Sequence, residues 1–121
     1  MSYDISLCDP VTHETLEVDD THFVAGGTRS IGGTKELWLN ITYNYGKHFR
    51  RDDVFGGKGI RSIYGKTGAE SIPMPEKAIS ALGDDVDDSD YWNTTEGNAK
   101  RALYGLLSFA KMRPDGVWDG D

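Results

Sequence analysis

Residues 34–51 read TKELWLNITYNYGKHFRR and hold the longest alternating pattern in the chain. Alternation with a period of two is typical of a β-strand that buries one face. The pattern predicts a central strand over residues 37–45, around which the rest of the chain packs. Its predicted buried face consists of Leu37, Leu39, Ile41, Tyr43 and Tyr45.

The apolar face of this strand needs a cover, because burial of each large side chain is worth about 1.5–3 kcal/mol. A helix predicted from about residue 94 to residue 112 supplies it. Asn93 and Glu96 have the spacing of a capping box, and Arg113-Pro114 ends the helix. The predicted apolar stripe consists of Ala99, Ala102, Leu103, Leu106, Leu107 and Ala110.

The remaining elements are shorter. Alternation on both sides of residues 9–12 predicts an N-terminal hairpin, and a third strand is expected to begin at His22. Pro75 and Gly83 have the positions of a helix start and a helix stop. Trp118 either folds back onto the core or is offered to a partner, and folding back is the expectation. The prediction is one α+β domain over residues 1–121, a small antiparallel sheet covered by a C-terminal amphipathic helix and one shorter helix.

A glycine-rich segment, GGTRSIGGT at residues 26–34, resembles a phosphate-binding loop in its spacing. Such a loop requires Lys where Gly33 stands and a helix where a strand is predicted. The glycines are therefore predicted to allow positive φ angles in a hairpin or bulge that leads into the central strand.

The charge distribution limits the function classes. A net charge of −7 argues against a general nucleic-acid binder, whose affinity comes from Lys and Arg contacts to phosphates. Residues 46–66 nevertheless form a basic island with six bases and two acids, between acidic segments at residues 1–20 and 84–96. Cys8 is the only cysteine, and no long apolar run predicts a leader or a membrane span. A cytoplasmic protein without a membrane partner is expected.

The segment DDVDDSD at residues 84–90 invites a calcium interpretation, but it lacks the Gly and the distal Glu of an EF-hand loop. We expect no metal and no cofactor. The run is instead predicted to be a partner-binding surface that faces a basic protein, with a solvated acidic linker as the alternative. Its candidate residues are Asp84, Asp85, Asp87, Asp88 and Asp90.

The basic island suggests an alternative site. Arg presents a planar fork to phosphate or carboxylate, and an aromatic ring offers a stacking face. The alternative is a pocket for a small anionic ligand such as a nucleotide. Its candidate residues are Tyr45, His48, Arg50, Arg61, Tyr64 and Lys66. Ordinary interpretations compete with this site: His48 as a solvated or satisfied histidine, residues 50–53 as a self-neutralising loop, and residues 59–73 as a strand or turn with exposed polar groups.

Four segments, ELWLNITYNYGKHF at residues 36–49, GIRSIYGKTGAESIP at 59–73, TEGNAKRALYGLL at 95–107 and RPDGVWDGD at 113–121, carry a resemblance to a known group. Together they resemble a family of small proteins encoded by tailed phages and prophages. The resemblance covers nearly the whole chain. It implies a phage origin and transfers no functional residues.

No nucleophile with a base, no pair of tuned carboxylates and no metal motif appears in the sequence, so the protein is predicted not to be an enzyme. The first functional hypothesis is a phage-encoded inhibitor that binds a nucleic-acid-handling protein of host defence stoichiometrically, through its acidic surfaces. The second is sequestration of an anionic nucleotide by the basic and aromatic middle. The third is a structural or regulatory phage protein without a defence role.

Overall fold

The computed structural model describes residues 2–24, 29–84 and 95–120. Within these ranges the α+β class is confirmed. The strands are β1 (Ser2–Cys8), β2 (Glu17–Val24), β3 (Arg29–Glu36), β4 (Trp38–Thr42) and β5 (Val117–Gly120). The helices are α1 (Gly46–Phe49), α2 (Gly68–Ser71), α3 (Pro73–Ala81) and α4 (Glu96–Met112), with 3₁₀ turns at Tyr43–Tyr45 and Gly59–Ile63.

The central strand is β1. A three-stranded antiparallel sheet has the order β4-β1-β5, while β2 and β3 form a separate two-stranded ribbon. Tyr3 lies opposite Ile41 of β4, and Leu7 lies opposite Trp118 of β5. The prediction that the strand within residues 37–45 is central was therefore wrong. Strands β1 and β4 alternate in the same way, and pairing with β5 decided which of them lies inside the sheet.

The predicted strand is also shorter than expected. Strand β4 ends at Thr42, whose hydroxyl accepts a hydrogen bond from the amide of Asn44 and so begins the 3₁₀ turn. The prediction of the buried face was largely right, because the apolar side chains remain inside on both sides of this change. Leu37, Leu39, Ile41 and Tyr45 are each 0% exposed, and Tyr43 is half-buried.

Helix α4 shares the core with the sheet, as predicted. Gly105 marks its close approach to the strands, since a Cβ there would lie 2.9 Å from Cγ1 of Val24 and 3.6 Å from Cδ2 of Leu39. The cap differs from the prediction. The hydroxyl of Thr95 accepts from the amide of Asn98, so Thr95 and not Asn93 caps the helix. The fully buried apolar side chains of α4 are Ala99, Ala102, Leu103, Leu106, Phe109 and Ala110, whereas Leu107 is only half-buried.

The N-terminal turn forms as its chemistry predicts, but the hairpin does not continue. The Asp9 carboxylate accepts hydrogen bonds from the amides of Val11 and Thr12, at 2.8 and 2.9 Å. One bridge joins Cys8 and Thr15. The next strand, β2, then pairs with β3 and not with β1. Strand β2 is continuous through residues 19–21, so the expected third strand at His22 is the second half of β2.

The segment after β4 is part of the core and not simply a polar loop. Phe49 and Val54 are 0% and 3% exposed, and the Phe49 ring packs edge-on against Tyr45 and Phe55. The shorter helix, α3, begins at Pro73 and not at Pro75. The sequence pattern did not predict the burial of Phe49 and Val54, because these apolar residues follow no regular period among the charged residues around them.

The second half of the glycine-rich segment lies in β3. Gly32 and Gly33 have φ angles of 77° and 78°, and the β2–β3 pairing shifts register between His22 and Val24. This agrees with the predicted bulge. Residues 25–28 lie outside the described part of the chain.

Candidate acidic interface

A cleft of about 590 Å³ lies between β2 and the C-terminal end of α4. Its lining includes three carboxylates, one arginine and two apolar side chains. The lining residues are Glu17, Val18, Asp19, Asp20, Thr21, His22, Met112 and Arg113. Met112 is 44% exposed, so this apolar side chain is accessible from solvent.

An irregularity in the ribbon sets the acids of β2 beside this cleft. Glu17 and His22 of β2 pair with Glu36 and Thr34 of β3. Strand β2 therefore has more residues between these two pairs than β3 has. The extra β2 residues, which include Asp19 and Asp20, have no regular partner across the ribbon. Extra residues in one strand form a bulge, which redirects side chains. At the end of the bulge Glu17 lies directly opposite Glu36, and two like charges in this position repel.

His22 fastens the ribbon at the cleft. Its Nδ1 accepts a hydrogen bond of 3.1 Å from the amide of Val24, so the ring proton is on Nε2, which donates to the carbonyl of Glu36 at 2.8 Å. The ring also packs edge-on against Phe109 of α4, with centroids 5.1 Å apart. One neutral imidazole thus joins both strands of the ribbon to the helix.

The arginine at the cleft is already neutralised. Arg113 donates from Nε and Nη2 to the two oxygens of Asp115, at 3.0 and 2.8 Å, and from Nη1 to the carbonyl of Glu17 at 3.4 Å. These hydrogen bonds hold the pKa of Asp115 below its ordinary value. Within the described part of the chain, the carboxylates of Glu17, Asp19 and Asp20 make no ion pair. The cleft therefore carries net negative charge.

A second cleft of about 470 Å³ continues the acidic surface along the N-terminal turn and shares Glu17 with the first. The amides of Thr12 and Val11 lower the pKa of the Asp9 carboxyl, so Asp9 remains ionised well below neutral pH. We call the combined surface the acidic face. Its residues are Asp9, Glu14, Glu17, Asp19 and Asp20.

The structure describes one residue of the predicted partner-binding run. Asp84 is exposed in the segment that follows α3, and its carboxylate pairs with Nζ of Lys100 at 2.6 Å. Asp85, Asp87, Asp88 and Asp90 lie outside the described residues. The acidic face was missed as a site, although the acidity of residues 1–20 was visible in the sequence. Five acids within residues 9–20 were the available signal.

The six candidates for an anionic ligand do not all reach the surface. Tyr45 is 0% exposed and belongs to the core, so its place in the candidate set was wrong. His48 is half-buried on α1. Tyr64 and Lys66 lie beside β5: the Tyr64 hydroxyl approaches Gly120, and the Lys66 carbonyl accepts from the amide of Trp118 at 3.0 Å.

Arg50 and Arg61, in contrast, both lie near Tyr3. The Arg61 guanidinium lies over the Tyr3 ring, and the Arg50 guanidinium lies near the Tyr3 hydroxyl. Tyr3 and its neighbour Tyr43 were not among the sequence candidates. The interpretation of residues 50–53 as self-neutralising needs a correction as well: Arg51 bonds to both Asp53 and Glu96, the second at the start of α4.

Two further clefts, of about 370 and 240 Å³, share Cys8, His13 and Asp119. These residue types occur in nucleophilic sites, so the state of the thiol matters. Burial, and then the charge of Asp119, raise the pKa of Cys8, although a hydrogen bond with Thr15 opposes them. A thiol with a raised pKa keeps its proton at neutral pH, which makes it a poor nucleophile.

Among the described residues, no group of three or more His, Cys, Asp or Glu side chains is arranged to hold a metal ion. None of the described helices has the length and apolar character needed to span a membrane. Comparison with models of known protein families, with curated proteins and with solved structures finds no match for this chain.

Proposed function

We propose that this protein acts by stoichiometric binding of a basic protein and turns nothing over. One observation carries the proposal: three carboxylates without an ion pair line an open cleft together with two apolar side chains, in the described part of the chain. The resemblance to phage proteins leads us to propose further that the partner is a nucleic-acid-handling component of host defence. A protein that binds nucleic acid presents a basic surface, which complements an acidic face.

The cleft suits a lysine or arginine side chain of such a partner. The aliphatic stem of a long basic residue packs on apolar surface while its charged end stays near polar groups. Val18 and Met112 would contact the stem, and Asp19 would lie near the charge. Because Arg113 is engaged by Asp115, it opposes an incoming cation less than a free arginine would.

The acidic face would act mainly on the rate of association. Exposed ion pairs contribute only about 0–1 kcal/mol each, but a field of one sign steers an oppositely charged partner and raises the association rate. The run at residues 84–90 belongs to this proposal as a second contact. A partner that spans both surfaces would bind through the summed charge.

The first experiment uses an arginine-rich peptide as the probe. We expect amide shifts on titration to concentrate at residues 17–22 and 112–113. The triple change Glu17→Gln, Asp19→Asn and Asp20→Asn should slow association and flatten its salt dependence. Glu76→Gln, which removes an exposed acid on α3, is the matched control. Shifts spread evenly over all acids, or equal effects of the triple change and the control, would contradict the site.

A second experiment addresses inhibition. A host nucleic-acid-binding protein that the chain captures should release its nucleic acid when the wild-type chain is added, and the triple variant should release less. The change of Asp84, Asp85, Asp87 and Asp88 to Asn tests the second contact in the same assay. Capture without release would argue against inhibition. Repeated turnover of any nucleotide or nucleic acid by substoichiometric protein would refute the binding function itself.

A further inference from the structure

We propose that β4 is a dimerisation edge, where the β4 strand of a second copy of this chain adds to the sheet in antiparallel orientation. The interface is separate from the acidic face and does not depend on the function proposed for that face. It rests on the backbone groups along the outer edge of β4 and on the composition of this strand, which reads WLNIT at residues 38–42.

The hydrogen bonds of Leu37 show which way the backbone of β4 points. The Leu37 carbonyl accepts from the amide of Leu7 at 3.0 Å, and the Leu37 amide donates to the carbonyl of Leu16 at 2.9 Å. Both backbone groups of Leu37 therefore point toward β1 and the residue before β2. Successive residues of an antiparallel strand point these groups to alternate sides. The amides and carbonyls of Trp38 and Asn40 therefore point away from β1.

The outer edge of β4 is open in the described part of the chain. Strand β1 pairs with its inner edge, and α4 packs against it from the core. No described residue makes a hydrogen bond with the backbone amide or carbonyl of Trp38 or Asn40. The Trp38 side chain is also 38% exposed.

Strand β4 lacks the features that usually protect such an edge. Unpaired backbone groups are a template for another strand, and proteins commonly block them with Lys, Pro or a bulge. Strand β4 contains neither Lys nor Pro, and it pairs with β1 without a shift in register. The edge is therefore able to accept a further strand.

A second copy fits this edge because β4 is complementary to itself. In an antiparallel pair centred on Asn40, this residue lies opposite Asn40 of the second copy, and Trp38 lies opposite Thr42. The two Asn40 residues can then exchange both of their backbone hydrogen bonds. All residues of β4 are uncharged, so the two-fold arrangement opposes no like charges, although each copy carries a net charge of −7.

The acidic face stays open in this dimer. Leu7 and Leu16 both bond to Leu37, so β1 and the start of β2 lie on one side of the chain that runs from β3 into β4. Strand β2, which carries three acids of the acidic face, begins on that side, and the proposed interface lies on the other. One short strand from each copy buries less than the roughly 1,200 Å² of a stable interface, so the dimer should be weak and reversible.

Sedimentation equilibrium of the full chain measures the dimer. We expect a dissociation constant between about 10 μM and 1 mM, in the range of weak complexes. On dilution, the amide resonances of residues 38–42 should shift more than those of the acidic face. A chain that remains monomeric at about 1 mM would overturn the proposal, whatever other strand this edge then accepts.

Asn40→Pro removes the outward amide at the centre of the interface, and proline is tolerated on an edge strand whose N–H faces solvent. This variant should dimerise at least about tenfold more weakly, as expected for lost backbone hydrogen bonds. Asn40→Ala is the matched control. It also loses the hydrogen bonds from Nδ2 to Ser2 and Asp4 but keeps the amide, so it should dimerise as the wild type does. Equal dimerisation of the two variants would contradict the site, and thermal unfolding checks the folding of each.

A charge exchange at Asn40 tests the identity of the partner and the register. Asn40→Lys and Asn40→Glu each place like charges opposite each other across the two-fold axis, so each variant alone should dimerise more weakly than the wild type. An equimolar mixture of the two should form a heterodimer that is tighter than either homodimer. Asn40→Lys keeps an attractive partner in Asp4 of β1, so it remains a usable variant if Asn40→Glu fails to fold. Dimerisation of Asn40→Lys at the wild-type strength would overturn the pairing through β4.

Discussion

The indole Nε1 of Trp118 donates a 2.8 Å hydrogen bond to the hydroxyl of Ser71, and the two residues are 1% and 0% exposed. The Ser71 hydroxyl in turn donates a hydrogen bond to the carbonyl of Gly68 at 2.8 Å. One serine thus satisfies the polar end of Trp118, the largest buried side chain among the described residues, and links β5 to α2. The expected return of Trp118 to the core is confirmed.

Ser71→Ala should lower the free energy of unfolding by about 1–3 kcal/mol, because it leaves the buried indole N–H without an acceptor. Urea denaturation measures the change. Ser80→Ala is the matched control: its hydroxyl also donates to a helix carbonyl, that of Glu76, but it is exposed on α3. Equal losses in the two variants would show that the indole hydrogen bond contributes nothing.

Leu106→Ala should lower the free energy of unfolding by about 2–5 kcal/mol, the range for a leucine removed from a packed core. Leu106 is 0% exposed in α4, whereas its neighbour Leu107 is half-buried. Leu107→Ala should therefore cost clearly less in the same denaturation experiment. A larger loss for Leu107→Ala would mean that α4 presents a different face to the sheet.

Gly68→Ala should destabilise the protein through a clash with backbone. The new Cβ would lie 2.7 Å from the carbonyl oxygen of Arg113 and 3.0 Å from Cα of Pro114. Backbone atoms cannot turn away as a side chain can, so α2 must move from the end of α4. Gly68→Ala should lower the melting temperature. Gly57→Ala is the control and should leave the melting temperature unchanged, because a Cβ at Gly57 meets nothing within 4 Å. An unchanged melting temperature for Gly68→Ala would contradict this packing.

His22→Phe should loosen the ribbon at the acidic cleft. The new ring keeps the aromatic contact with Phe109 but loses the acceptor for the amide of Val24 and the donor to the carbonyl of Glu36. Hydrogen exchange at the Val24 amide should accelerate. His13→Asn, in the N-terminal turn, is a control in which this amide should exchange as in the wild type. Unchanged exchange in His22→Phe would show that the imidazole does not fasten β2.

Acid should destabilise the fold partly through Asp9. The amides of Thr12 and Val11 hold the pKa of Asp9 below its ordinary value of 3.8, so the unfolded chain takes up this proton at a higher pH than the folded one. The stabilisation is present above the unfolded pKa and is lost as pH falls through the folded pKa. Asp9→Asn keeps an acceptor oxygen but does not titrate. The fall in unfolding free energy between about pH 5 and pH 2 should be shallower in this variant than in the wild type, and identical slopes would contradict the assignment.

Burial could be predicted from the sequence at many positions. Leu37, Leu39 and Ile41 are buried as their alternation predicts, and the stripe of α4 is correct except at Leu107. Periodicity reports which face of an element is apolar, and this holds whichever element covers that face. The burial of Phe49 and Val54 was not predicted, because they lie in a segment without a regular hydrophobic period. The strand order could not be predicted either, since β1 and β4 have similar sequence patterns and only their pairing partners distinguish them.

For the two candidate sites as well, the sequence determined some features and the tertiary structure determined others. The sequence by itself determined that the N-terminal segment is acidic, that residues 46–66 are basic and that one face of each long element is apolar. Only the tertiary structure decided that a bulge in β2 lies beside the end of α4, and that Arg50 and Arg61 both lie near Tyr3. Charge and periodicity belong to short stretches of chain. The meeting of distant side chains depends on strand register and helix packing, which are settled by the burial of the whole core.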